Sequence, residues 1–222
     1  MVASVGRMAT VAPRADWRIA HGTLFVLLVG CVLLTPVLRQ WPWIWLVPLI
    51  AYFAIVLSVP PLRRSLHWLR AGRVSLTAAG AALGIMVATS LTLLAFNAIA
   101  KPDVRPYQAT LPLDALGGVL LAGVVFALVN ATLEEFVFRG VIFEALASQY
   151  GVWFTVAVTA ALFGLGHLRG YPSGPIGACL AVLFGFLMGL LRVWTGGLAL
   201  PILAHISADA TIYIILVRSE PS

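Results

Sequence analysis

Of the 222 residues, 61% are hydrophobic and only 10% are charged, against about 25% charged in soluble domains. That balance excludes a soluble globular fold and leaves a polytopic membrane protein with a single integral domain. The formal charge of +6 is scattered between apolar runs instead of lining one face, so the expected partner of the basic residues is the lipid bilayer and not nucleic acid.

Residues 1–18, with Arg7, Arg14 and Arg18, read as a cytoplasmic N-terminal tail. They have the look of a signal-peptide start, but no small-x-small cleavage site follows at Leu38-Arg39-Gln40-Trp41, so the first helix is expected to be retained. Apolar runs at 20–37, 43–59, 76–100, 152–167, 176–194 and 198–217 each meet the length of roughly 17–25 residues needed to cross a bilayer. A longer run at 115–147 carries acidic residues. The expectation is an all-α transmembrane bundle of about seven to eight helices with an intramembrane polar cavity. Trp17, Trp41, Trp43, Trp45, Trp68, Trp153 and Trp194 stand near the run ends, as amphipathic rings do at headgroup depth. After the second run, Leu62, Leu66 and Leu69 recur at i, i+4, i+7 among arginines, which predicts an interfacial helix near 60–73. Residues 19–114 thus form an N-terminal set of helices, 115–217 a core, and 218–222 a C-terminal tail.

With the N-terminus inside, Arg7, Arg14, Arg18, Arg63, Arg64, Arg70, Arg73 and Arg192 are cytoplasmic, while Arg39, Lys101, Arg105, Arg169 and Arg218 are outside. That excess favours a multi-pass protein with a cytoplasmic N-terminus. Cys31 and Cys179 fall in apolar runs, where a packing role is expected and not a disulfide or metal site. His21, at a membrane boundary, and His67, in the basic loop, are assigned no chemistry, and Glu144 is expected to be solvated. Gly185 and Gly189 make a G-x-x-x-G that reads as internal helix packing.

Glu134, Glu135 and Arg139 stand in an otherwise oily segment. A charge at mid-bilayer costs about 2.5–3.5 kcal/mol on insertion scales, so three in six residues need partners and a purpose. Glu135 and Arg139 are i, i+4 and can pair, whereas Glu134 points about 100° away and is free to take a proton from water. If the helix turns back at Tyr150-Gly151, Glu134 and His167 lie at one depth and face each other. His205, counted from the Gly196-Gly197 turn, falls roughly 12 Å off that depth. Asp209, one turn beyond it, closes the gap.

Read in order, Glu134-Glu135-Phe136-Val137-Phe138-Arg139, then Phe163-Gly164-Leu165-Gly166-His167, then His205-Ile206-Ser207-Ala208-Asp209 match E-E-x-x-x-R, F-x-x-x-H and H-x-x-x-N/D. The chain resembles the CAAX protease and bacteriocin-processing (CPBP, or Abi) intramembrane proteases, which include the Ras-converting CAAX endopeptidase. The resemblance covers residues 115–217. It implies a glutamic intramembrane protease with Glu134 as base, His167 assisting the water, and His205 and Asp209 at the positions that stabilise the oxyanion, with Glu135, Arg139 and Phe163 in support. Asp209 departs from the commoner Asn and cannot donate unless protonated, so orienting His205 is its alternative role. The implied substrate is a membrane-anchored protein or peptide cut near its C-terminus, and the implied location a bacterial or archaeal inner membrane. No cofactor is required. A zinc site of Glu134, His167 and His205 stays open, although the H-E-x-x-H motif is absent. A non-catalytic transporter or regulator using the same polar network is the other alternative, against which the lack of an internal repeat speaks. Oligomeric state is left undetermined by the sequence.

Overall fold

A chain this apolar must close its backbone hydrogen bonds within each segment, and helices do so without neighbours. The structure is a computed structural model and describes residues 16–109, 111 and 116–219; the expected tails therefore fall largely outside the described residues. The described residues form an all-helical membrane bundle. Its long helices are α1 (Trp17–Leu33), α2 (Trp43–Ser58), α3 (Leu76–Ala100), α4 (Leu116–Tyr150), α5 (Val152–Gly166), α6 (Gly174–Thr195) and α7 (Ala199–Arg218). Of these, α3, α4, α6 and α7 are long and apolar enough to cross a membrane, and α1, α2 and α5 are shorter apolar helices.

Local chemistry sets the ends. The Asp16 carboxylate accepts from Arg18 N at 3.0 Å and caps α1, and the Arg18 guanidinium beside it holds that carboxyl below its usual range. The Ser75 hydroxyl accepts from Ala78 N and caps α3. The Tyr150-Gly151 turn is where the sequence places it, because Gly151 takes φ 80°, a conformation L side chains resist.

Helix α5 packs along α6, α7 lies against α3 and α4, and α1 lies against α2 and the last turns of α4. Gly185 meets Ala160 and Arg139, and Gly189 meets Val156, so the G-x-x-x-G is an internal packing surface. One end of the bundle gathers the start of α1, the segment after α2 and the α6–α7 turn: His21 bonds Ser65, Arg73 N donates to Thr195 O, and Leu198 N donates to Arg70 O. The other end gathers the α3–α4 segment and the end of α7, where Gln108 Nε2 donates to Leu216 O and Ser219 O.

Several expectations are corrected. The 60–73 interfacial helix is one short turn, Pro60–Arg64, followed by an extended strap. Trp68 does not face the lipid but is fully buried in the protein, donating its indole N–H to Tyr52 Oη at 3.1 Å, while Leu69 is exposed. His21 is buried with Tyr52 Oη at 2.6 Å from Nδ1 and Ser65 Oγ at 3.0 Å from Nε2. Because the indole can only donate, Tyr52 donates its O–H to His21 Nδ1, and His21 Nε2–H donates to Ser65 Oγ. The set is a latch that pins the strap, with no free base in it. Cys31 and Cys179 are exposed thiols on the helix surfaces and not packed residues.

Candidate active site

Helix α4 does not run evenly through the acidic segment. Its hydrogen bonding widens over Phe136–Val141 into a π segment, directly after Glu134 and Glu135, a device that recurs at functional sites. The expected pair forms there: Arg139 Nη1 donates to Glu135 Oε1 at 3.0 Å, with both side chains fully buried. Arg139 Nη2 donates to Gly185 O on α6 at 2.9 Å, and its guanidinium carbon stands 4.8 Å from the centre of the Phe163 ring on α5. One arginine thus ties three helices together around one carboxylate.

Glu135 Oε1 also receives His205, whose Nδ1 lies 2.9 Å away. With Nδ1–H committed to that carboxylate, Nε2 is the ring's working nitrogen. It lies 3.6 Å from Glu134 Oε2 and 3.7 Å from Asp209 Oδ1, beyond direct hydrogen bonding in both cases. Glu134 Oε2 is buried and meets no donor at hydrogen-bond distance among the described residues.

The structure brings Glu134, Glu135, Arg139, His205 and Asp209 together, and it revises the depth reckoning. Arg192, one turn before the Gly196-Gly197 turn, donates from Nε to Arg139 O at 3.0 Å and approaches Glu144 at 3.8 Å. The α6–α7 turn therefore lies short of the Tyr150-Gly151 turn, and this offset carries His205 to the level of Glu135. Arg192 is consequently buried and not a loop charge, and Glu144 is its partner and not a solvated end residue. His167 makes no hydrogen bond or ion pair with Glu134 among the described residues. Its Nδ1–H donates to Phe163 O at 2.9 Å, leaving Nε2 of the neutral ring as an acceptor, and the ring shares a cavity with His205 and Asp209. That cavity, about 120 Å³, is walled by α3, α5, α6 and α7, and its outer liners Ala88, Thr92 and Leu183 are exposed.

Two residues were missed. Asn130 donates from Nδ2 to Asp209 Oδ2 at 3.1 Å, and Trp41 Nε1 donates to Asn130 Oδ1 at 2.8 Å. An amide one turn before Glu134 in an apolar run is a signal the sequence offers; Trp41 gives none beyond its place at a run end. As for metal, no group of three or more His, Cys, Asp or Glu side chains among the described residues is placed to hold an ion.

Comparison with known proteins bears on these same helices. Residues 116–211 match the family model of the type II CAAX prenyl endopeptidase Rce1-like proteins. The Bacillus subtilis protein named "Putative membrane peptidase YdiL" is 28% identical over 109 residues, covering 49% of this chain and 42% of that relative. The Bacillus subtilis protein YpbD is 36% identical over 87 residues, 39% of this chain and 41% of that relative. The chain thus spans about two-fifths of the length of each of these relatives. No solved structure matches it significantly. The matched segment holds the acidic pair, both site histidines and Asp209, so the similarity to the Rce1-like proteins falls on the helices that carry the site.

Proposed function

We propose that this protein hydrolyses a peptide bond of a membrane-associated protein or peptide, near its C-terminus, with a water activated by Glu134. The observation that carries the reading is His205, held through Nδ1 on Glu135 while its Nε2 stands between the Glu134 and Asp209 carboxylates. A water on the cavity side of these groups gives its proton to Glu134 Oε2 as its oxygen attacks the carbonyl carbon. The resulting oxyanion takes a hydrogen bond from a protonated His205 Nε2. Collapse breaks the C–N bond, and Glu134 returns the proton to the leaving amine. His167, with Nε2 as acceptor, helps to align the water, and Asp209 keeps His205 in register. The apolar cavity between α3 and α6 offers the scissile segment a route from the lipid side. No metal is assigned a step. The positive charges assign the strap end of the bundle, with the N-terminus, to the cytoplasm.

The test uses purified protein in liposomes with an internally quenched peptide carrying one apolar anchoring segment. Glu134→Gln and His167→Ala are each expected to lower turnover at least about 10²-fold while inserting and folding normally. Activity is expected to survive exhaustive chelation. Near-normal turnover by Glu134→Gln would remove the base, and loss on chelation with recovery on adding zinc would establish a metal enzyme in its place.

A further inference from the structure

Asn130 is a buried polar side chain beside the cluster that the steps above leave unused. It lies one turn before Glu134 on α4 and is 8% exposed. A carboxamide can turn over, exchanging its donor for its acceptor. Here the choice is made by Trp41, whose indole N–H has no acceptor to offer. With Oδ1 of Asn130 accepting from Trp41 at 2.8 Å, both of its N–H bonds are turned to the acidic side. Asp209 Oδ2 takes one at 3.1 Å, and Glu134, four residues on along α4, stands on the same helix face as Asn130. These are the two carboxylates that flank His205 Nε2. A neutral amide on the helix of Glu134 thus bonds the carboxylate of Asp209 on another helix.

We propose that Asn130 is the positioning residue for Asp209 and Glu134, and that the Trp41 indole N–H locks its amide in the donating orientation. The role in turnover rests on the protease reading above; the lock itself does not. It also gives Asp209 a reason to be acidic, since an amide already stands opposite it on α4.

The experiment has two arms on the full chain. In the first, protein labelled with 15N-tryptophan is studied by NMR in detergent micelles, with the Trp41 indole resonance assigned by its loss in Trp41→Phe. Asn130→Leu is expected to move that resonance and to speed its hydrogen exchange at least about tenfold, as loss of a hydrogen bond worth roughly 1.4 kcal/mol implies. An indole unmoved by Asn130→Leu overturns the lock. In the second arm, the quenched peptide in liposomes is the probe. Trp41→Phe, which keeps the ring and deletes the donor, is expected to lower kcat at least about tenfold with KM within about twofold. In an Asp209→Asn background the same change should cost less than about threefold, because a carboxamide in place of the Asp209 carboxylate has both a donor and an acceptor and meets the Asn130 amide in either orientation. Equal losses in the two backgrounds would mark a packing effect and overturn the positioning role. A wild-type protein that cleaves nothing while the indole responds as expected upholds the lock and refutes the protease reading alone.

Discussion

At the residue scale, one oxygen of Glu135 receives both Arg139 and His205. Burying ions costs several kcal/mol each, and such a group is stable only while its partners remain. Arg139→Gln leaves the fully buried Glu135 charge with His205 as its remaining partner, and should cost about 3–5 kcal/mol. Glu135→Gln combined with Arg139→Gln removes both charges and should cost less than Arg139→Gln alone. Thermal unfolding in detergent reads the difference, and additive losses would show that the two side chains do not act as a pair. This pair was legible because i, i+4 is a local relation that survives even the π segment. His205 was legible as a chemical group but not as the partner of Glu135, because its depth depends on where another hairpin turns.

At the element scale, the π segment of α4 and the strap after α2 are held to each other. Trp68 sits on Gly140, where a Cβ would lie 2.5 Å from the indole ring, and its ring also meets Phe136. The same strap bonds the start of α7 through Arg70 O and Ala71 O. It therefore links the helix of Glu134 to the helix of His205. Gly140→Ala should destabilise by about 1–3 kcal/mol, as overpacking of a close-packed site does. Gly84→Ala, on α3 with nothing within 4 Å of the added carbon, should be neutral or stabilising by up to about 1 kcal/mol. Equal responses of the two variants, measured by thermal unfolding, would mean that the ring can step aside. The sequence could not reveal the strap: the Leu62, Leu66, Leu69 spacing is a fair helix pattern, and only the tertiary latch through Tyr52 and His21 draws Trp68 inward and ends the helix at Arg64.

At the scale of the whole molecule, the long helices alternate in direction, and contacts between their connecting segments check the alternation independently of hydropathy. His67 lies in the strap, at the end shared with the start of α1 and the α6–α7 turn. Arg169 lies at the opposite end, where its carbonyl accepts from Tyr107 Oη. The spans were legible because a bilayer demands long apolar runs; their sidedness rests on a charge bias that the structure trims, since buried Arg192 no longer counts among the eight basic residues assigned inside. Seven against five remain, and the arginines at 63, 64, 70 and 73 are concentrated in one exposed strap, where each is worth about 1 kcal/mol against an anionic leaflet. That concentration is the argument for the cytoplasmic strap proposed above. In intact bacterial cells expressing a Cys31→Ala, Cys179→Ala background, a membrane-impermeant maleimide should label Arg169→Cys and leave His67→Cys unlabelled until the cells are broken. The reverse pattern would invert the topology, and labelling of both sites in intact cells would mean that the strap and the α5–α6 connection do not lie on opposite faces of the membrane.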